Sequence, residues 1–480
     1  MKYPKWVLKH KRKGTEIRKI GDNYYIYKVT SVWDKKKKRA RKITEKFLGT
    51  IIPDGFIKPR QERLMESLSN ISVKEFGATN LLLEMNAEIK ERLKEIYPER
   101  WKEIFVFSIF RLLYNTPIKN LLTHYAASFI SETLSGARLS PKFVGNLLRD
   151  IGREREKTKL FLRDFLSGND FALIDLTHVF SLSEDVISSV PGYNSKKEFL
   201  PQIHMIFLFS LDNHMPSYFR MVAGSITDVS SLVLTVKEAG VQNVVMIGDK
   251  GFYSEDNVIG LDKEKMHYIF PLKRNSSLID YTQIQKGDKR AFDGYFLFEK
   301  RAIWYYSYVL KEGNLKGKKI IVFLDERLKT EEEKDYLSRI EEDDAKTIET
   351  FFEHQHRQGT IAIITDLKES GERIYNLLKS RVEIEVMFDT FKNVLNADRT
   401  YMRDDYQMEG WMLINFIALI YYYKLYRHLV DLSLLKKYSP MDVLTHFSRV
   451  YKLKIGGQWV VSEIPKKTRE IMERLNLPIT

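Results

Sequence analysis

The stretch LLKSRVEIEVMFDTFKN, residues 377–393, mixes long apolar side chains with Arg381, Glu385 and Lys392. An α-helix turns about 100° per residue, so from Arg381 the Glu385 side chain lies at roughly 40° and Lys392 at roughly 20°. Three charges then share one narrow stripe. Ile384, Met387, Phe388, Phe391, Val394 and Leu395 fall on another arc, which predicts a buried face. An ordinary amphipathic helix with an Arg–Glu pair four residues apart explains part of this pattern, and such a pair contributes only a few tenths of a kcal/mol. The other reading is that two cations and a carboxylate are aimed together at a ligand. The rest of the chain bears on the choice.

The chain has 480 residues, 44% of them apolar and 12% aromatic, enough for a large core and about three domains. It has no cysteine, which excludes disulfides and thiolate metal sites. The N-terminus MKYPKWVLKHKRKG lacks the apolar run of a signal peptide. WMLINFIALIYYY, residues 411–423, is too short to span a bilayer and reads as a buried core helix. A cytoplasmic protein without a membrane partner is expected. The formal net charge is +14, and residues 1–60 hold all of it, with nineteen Lys or Arg against five Asp or Glu. The densest run is DKKKKRARK, residues 34–42, containing Lys35, Lys36, Lys37, Lys38 and Arg39. Such a segment attracts polyanions, most often nucleic acid.

NYYIYKVTSVW and RKITEKFLGTII are rich in β-branched and aromatic residues, so residues 1–60 read as a basic β unit with the lysines in a hairpin loop. Helical periodicity covers about 73–168, and SPKFVGNLLRDIGRERE, with Ser and Pro at its start, resembles a DNA-reading helix. From residue 171 the pattern changes. FALIDLT, PQIHMIFLFSLD and PSYFRMVAGS predict three strands, SSLVLTVKEAG a helix, and VQNVVMIGDKG and HYIFPLKR two further strands. About ninety β-rich and highly charged residues separate these from the helix quoted above, and they read as an insertion.

Asp175 closes the apolar run FALID and Asp249 closes VVMIGD. An ionised carboxylate beside a sheet core is costly unless paired or bound to metal, and open sheets place ligand sites at strand C-termini. Gly251 would let the chain turn away from Asp249. Three carboxylates, Asp175, Asp249 and Glu385, suit phosphoryl transfer with two divalent ions about 4 Å apart. Arg381 and Lys392 would then face phosphates. His178, Glu383 and Asp389 are weaker candidates for the third ligand. Glu383 points roughly opposite the Arg381 stripe, and Asp389 lies at roughly 80° to it.

These residues resemble the DDE transposases of prokaryotic insertion sequences, the group with the signature Y-x2-R-x3-E-x6-K (insertion-sequence family four and its close relatives). Arg381, Glu385 and Lys392 fit R-x3-E-x6-K, FALIDLTH carries the first Asp, and GDKGFYSEDN the second. The opening NYYIYKV…KFLGTI and the segment YMRDDYQMEGWMLINFIALIYYYKL are similar too, so the resemblance covers nearly the whole chain. Leu378 stands at the signature Tyr position and Val382 where many relatives have Trp. The resemblance implies a multidomain α/β chain with a ribonuclease-H-like core. The expected domains are a basic DNA-binding unit (1–60), a helical DNA-binding domain (61–168), the core (169–274 and 367–400), a β-rich insertion (275–366) and a C-terminal helical region (401–480) that could dimerise. It implies two Mg2+ ions, replaceable by Mn2+, held by Asp175, Asp249 and Glu385. It implies double-stranded DNA with terminal inverted repeats and target DNA as partners of a homodimer that cuts and pastes. Some relatives stabilise a DNA hairpin by stacking a flipped base on an aromatic of the insertion, for which Trp304 is the candidate. A ribonuclease-H-like nuclease or resolvase, and a silenced DNA-binding derivative, are the alternatives.

Overall fold

The computed structural model describes residues 3–63, 71–165, 172–181, 183–192, 200–225, 229–241, 244–248, 250, 253–340 and 347–477. It divides into two compact units. The smaller holds residues 1–76 and 448–465, the larger residues 77–447 and 466–480.

In the smaller unit, β1 (Thr15–Ile20), β2 (Asn23–Asp34), β3 (Arg39–Ile52) and β4 (Gly55–Ile57) form an antiparallel sheet in that order. Its small core is Val7, Ile17, Ile26 and Ile51. β5 (Ser72–Glu75) belongs to a separate sheet, completed near the far end of the chain.

The larger unit is a mixed sheet faced by helices. Helices fill Gly77–Arg163, as the periodicity predicts. Then come β6 (Ala172–Ser181), β7 (Val190–Pro191), β8 (Pro201–Ser210) and β9 (Met215–Ala223). The helix Val229–Ala239 ends at Gly240, whose φ of +76° makes it the left-handed stop expected there. β10 (Val244–Ile247), the helix Glu255–Lys263 and β11 (His267–Pro271) follow. At the centre of the sheet the order is β9, β8, β6, β10, β11. The first three are antiparallel, while β10 runs parallel to β6 and β11 parallel to β10. The burial of β8 and β10 explains their continuous apolar sequences.

The segment read as an insertion does not make a sheet of its own. β12 (Gly294–Phe298), β13 (Arg301–Val309), β14 (Lys319–Asp325) and β15 (Thr360–Thr365) extend the same sheet, because β15 pairs antiparallel with β11. Thr365 seals this junction by donating to the Tyr268 carbonyl at 2.7 Å. Among the described residues, with β16 (Arg399–Thr400) added beside β6, the sheet has eleven strands.

Residues 401–480 read as a C-terminal helical region. The 27-residue helix Asp405–Asp431 is there and is buried along most of its length. However, β17 (Tyr451–Ile455) and β18 (Gln458–Val461) form a hairpin across Gly456 and Gly457, both left-handed at φ +58° and +89°, and β17 pairs with β5. The helix Pro141–Arg153, whose sequence resembles a DNA-reading helix, packs against the long helix. Its Gly152 and the long helix's Gly410 let the two backbones approach so closely that a Cβ at either would strike a carbonyl of the other helix, and Arg149 binds Asp404.

Candidate active site

The stretch 377–393 is not one uniform helix. The helix Gly371–Lys379 ends at Ser380, a new helix Arg381–Asp389 begins, and Thr390–Val394 form a π turn closed by the Leu395 N–H on the Thr390 carbonyl at 3.0 Å. Both breaks coincide with a hydroxyl that bonds back one turn. Ser380 Oγ donates to the Asn376 carbonyl at 2.8 Å and Thr390 Oγ1 to the Val386 carbonyl at 2.9 Å, contacts that bend helices. The first break sets Arg381 at a helix start. The second alters the 100° step, so the angle derived for Lys392 from an ideal helix does not hold, and Lys392 sits half-buried on the wider turn. The apolar arc is buried as expected: Ile384, Met387, Phe391 and Leu395 are inaccessible, and Phe388 and Phe391 meet the Phe207 ring edge-on at 5.7 and 5.3 Å.

Asp175 does not close its strand. β6 continues to Ser181, because Asp175 through Phe180 go on pairing with β8. The opposite edge of β6 tells more. β10 pairs with it only at Ala172 and Leu173, and β16 only at Phe180 and Ser181. Between them, the edge from Ile174 to Val179 carries no strand among the described residues, and Asp175 stands near the start of this gap.

Arg381 joins the strand to the helix. Its Nη2 lies 3.6 Å from Asp175 Oδ2 and its Nε 3.5 Å from Glu385 Oε1. Asp175 is nearly buried, its side chain 11% exposed, and its Oδ1 accepts the Leu176 N–H at 2.8 Å, whereas Glu385 is 56% exposed. Both Arg381 separations exceed hydrogen-bond length. The guanidinium thus bridges two carboxylates electrostatically, and its buried Nε has no hydrogen-bond partner among the described residues. An acid pair supplying only oxygen donors fits a hard divalent cation, and an under-satisfied guanidinium fits an oxyanion. Among the described residues no group of three His, Asp or Glu side chains is placed around one point. Asp249 and Gly251 lie outside the described residues. β10 reaches Ile247 just before them and pairs with β6 at Ala172 and Leu173.

The weaker candidates have other neighbours. His178 is three residues from Asp175 on the same strand, hence on the other face, and packs edge-on against Phe180 at 4.9 Å. Glu383 lies toward Tyr423 and Tyr426, whose hydroxyl pKa values are pushed up by burial and by its charge. Asp389 accepts the Asn393 amide at 2.5 Å.

Trp304 lies elsewhere on the sheet. Its neighbour Tyr305 faces Gly371, at the start of the helix pair that carries Arg381 and Glu385. Trp304 therefore faces the other side of the sheet. β13 is also five strand spacings, about 24 Å, from β6. There Trp304 tilts against the exposed Tyr295 at 5.1 Å, with Lys289 Nζ 5.0 Å from its ring. Lys35, Lys36, Lys37, Lys38 and Arg39 belong to the smaller unit, at the exposed β2–β3 turn. Leu378 is partly buried against the core, and Val382 is exposed.

Two residues that support the site were not anticipated. Arg111 is 3% exposed and has no carboxylate partner among the described residues. Its Nε donates to Asn415 Oδ1 at 3.0 Å, its Nη2 donates to the Leu395 carbonyl, and its guanidinium lies 4.4 Å from the Trp411 ring centre. Asn115 Nδ2 donates to the Val394 carbonyl at 2.7 Å. Together they hold the end of the π turn by its open carbonyls, where a cation is favoured. The available signal for Arg111 was a lone Arg in the apolar stretch IFVFSIFRLLY, with Asn415, its acceptor, a lone polar residue in WMLINFIALIYYY.

A family model described as a transposase DDE domain matches residues 170–421, just over half of the chain. No curated protein sequence matches. Among solved structures, the cryo-EM structure of a piggyBac transposase synaptic complex with hairpin DNA is similar at 13% identity and a TM-score of 0.35, covering 77% of this chain and 79% of that one.

Proposed function

The chain belongs to the transposase DDE domain family, and on that premise we propose that it mobilises a prokaryotic insertion sequence, one of the group with the R-x3-E-x6-K signature. It binds the terminal inverted repeats as a homodimer in the cytoplasm, cuts the ends and joins them to target DNA. The strand order β9, β8, β6, β10, β11 supports reading residues 169–274 and 367–400 as a ribonuclease-H-like core. The observation that carries the proposal is the bridge of Arg381 between Asp175 and Glu385 at the gap in β6.

Asp175, Asp249 and Glu385 would hold two Mg2+ ions, with Mn2+ as a substitute; bound there, the ions supply charge stabilisation for the attacking and leaving oxygens of an in-line displacement. The protein positions the DNA. Arg381, close to both acids but hydrogen-bonded to neither, donates to oxygens of the scissile phosphate. Lys392 adds a point charge farther along the strand. In the first step a water oxygen bonds to phosphorus as the P–O3′ bond breaks, leaving a 3′-OH on the element end. In the second step that hydroxyl oxygen attacks a target phosphorus and another 3′-oxygen leaves. The side chains form no covalent bond to DNA. Trp304, with Tyr295 and Lys289, contacts DNA away from the acids of its own subunit, and the basic β unit draws the duplex to the protein.

The test is nicking of a duplex carrying the inverted repeat that flanks this gene, with Mg2+, by wild type and by Glu385→Gln. Nicking at the repeat boundary by wild type, lost at least 1,000-fold in the variant, is expected. Equal nicking by both would remove Glu385 from the site. Tight binding with no cleavage by wild type would favour a silenced DNA-binding derivative, and cleavage without joining a nuclease.

A further inference from the structure

The β2–β3 hairpin outruns its own sheet. β1 pairs with β2 only as far as Lys28, whereas β2 and β3 continue pairing to Asp34 opposite Arg39. From Thr30 to Lys46 every residue except Asp34 is exposed. This distal part is a two-stranded ribbon with both faces open, an arrangement that is marginal in water by itself. It nevertheless exposes apolar side chains: Val32 is 51% exposed, Trp33 62% and Ile43 42%.

The cations divide at the base of the ribbon. Lys28 pairs with Glu45 at 2.8 Å, Lys42 with Glu16 at 3.5 Å and Lys46 with Glu62 at 2.5 Å. Beyond them Lys35, Lys36, Lys37, Lys38, Arg39 and Arg41 have no ion pair among the described residues. The acid at the tip is already engaged: Asp34 Oδ1 accepts the Lys36 and Lys37 backbone N–H groups at 3.0 and 3.1 Å and so fixes the turn. The register also sorts the two faces. Ser31, Trp33, Ala40 and Lys42 share one face, which Glu16 meets through Lys42. Thr30, Val32, Arg39, Arg41 and Ile43 share the other.

A ribbon of two strands about 4.8 Å apart is, with its side chains, about as wide as the major groove of B-DNA, roughly 12 Å. The face bearing Arg39 and Arg41 carries the groups that read base edges there, guanidinium for guanine and branched apolar side chains for thymine methyls. Thr30 to Asp34 extends about 17 Å, about five base pairs. We propose that the Thr30–Lys46 ribbon is an arm that enters the major groove of double-stranded DNA, with Arg39, Arg41, Val32 and Ile43 toward the bases and Lys35–Lys38 on the flanking phosphates. This rests on the reading that the protein acts on DNA, and it assigns sequence recognition to the arm.

The experiment uses the full-length protein with two duplexes, the terminal inverted repeat and a scrambled control. Affinity is measured against salt concentration, and guanine N7 protection from methylation reports major-groove occupancy. Wild type is expected to protect a run of about five base pairs on the repeat. Arg39→Gln with Arg41→Gln should abolish that protection and cut discrimination between the duplexes roughly 10-fold or more. Lys36→Gln with Lys37→Gln should lower the slope of log K against log salt by about 1.8 on both duplexes and leave the protected positions in place. Unchanged N7 protection in the arginine variant would overturn the proposal. So would charge-dependent binding of the ribbon to phosphatidylserine vesicles with no effect of either variant on DNA. Glu385→Gln should keep the protection while losing nicking, so failure of the arm and failure of the catalytic reading give different results.

Discussion

Arg111 and Arg39 carry the same charge in opposite circumstances. Arg111 is 3% exposed, its guanidinium meets carbonyls, a side-chain amide and an aromatic ring among the described residues, and burial lowers its pKa to about 10. Arg155 is similarly enclosed, with Glu238 at 2.8 Å and Glu409 at 2.5 Å, and burial pushes the Glu409 carboxyl up. The Arg39 and Lys35–Lys38 side chains form no ion pair among the described residues of the exposed turn. A buried cation without its partners costs several kcal/mol, so the fold must satisfy it. An exposed one costs almost nothing, and its position is open to be set by what it binds. The excess charge of this chain can therefore be assigned by burial to architecture or to recognition.

Arg155→Ala should break the buried side most severely. It leaves Glu238 and Glu409 facing each other without their shared cation and should cost about 3–5 kcal/mol in urea unfolding at pH 7. The deficit should shrink as pH falls and Glu409 takes up a proton; a deficit below about 1 kcal/mol would mean that the network is no part of the fold's stability. Arg111→Met keeps an unbranched stem but removes the guanidinium from Trp411 and strands the Asn415, Thr116 and Leu395 acceptors. A loss of about 1–3 kcal/mol is expected. Because the Leu395 carbonyl lies at the end of the π turn after Glu385, the nicking rate at saturating DNA should also fall more than the apparent affinity does. A change in affinity alone would separate Arg111 from the site.

Asp404→Ala should have a smaller effect. Asp404 caps the Asp405–Asp431 helix through the Gln407 N–H and binds Arg149 at 2.7 Å. Burial raises its pKa, but the Gln407 N–H and Arg149 outweigh this and hold it below the usual 3.8. A carboxyl with a depressed folded pKa stabilises the fold above its unfolded pKa and loses that contribution as pH falls through the folded value. The difference between wild type and Asp404→Ala should be about 1 kcal/mol near pH 7 and be lost as pH falls through the depressed folded pKa. On the exposed side, Lys36→Gln with Lys37→Gln should unfold within about 0.5 kcal/mol of wild type. A larger loss there would undo the contrast.

The contrast also explains which features could be read from the sequence. The central strands and the buried arc of the Glu385 helix were legible because burial writes itself as local periodicity. The end of β6 was not, since Asp175 stays in the strand only through pairing with β8, some thirty residues away. The placement of β12–β15 in the main sheet depends on β11 meeting β15 across nearly a hundred residues. The break at Ser380 and the π turn at Thr390 depend on single hydroxyl bonds that no periodicity reports. Trp304 was singled out by resemblance as an aromatic of the insertion, but its distance from the acids and its face follow from strand order and one-residue parity. The Gly456–Gly457 pair between YKLKI and QWVV carried a hairpin signal that the prevailing helical pattern of the C-terminal region concealed.

The smaller unit is built from both ends of the chain, since β5 finds its partner β17 only after about 375 intervening residues. At synthesis rates of about 5–20 residues per second, roughly 20 to 75 s pass between the emergence of the two strands from the ribosome. The sheet carrying the basic ribbon can form early on its own core of Val7, Ile17, Ile26 and Ile51, while the second sheet of the unit waits for the last tenth of the chain. A nascent chain would therefore display its cationic arm while the rest of the protein is still being made, and chains released early would keep the arm but lack the β5–β17–β18 sheet.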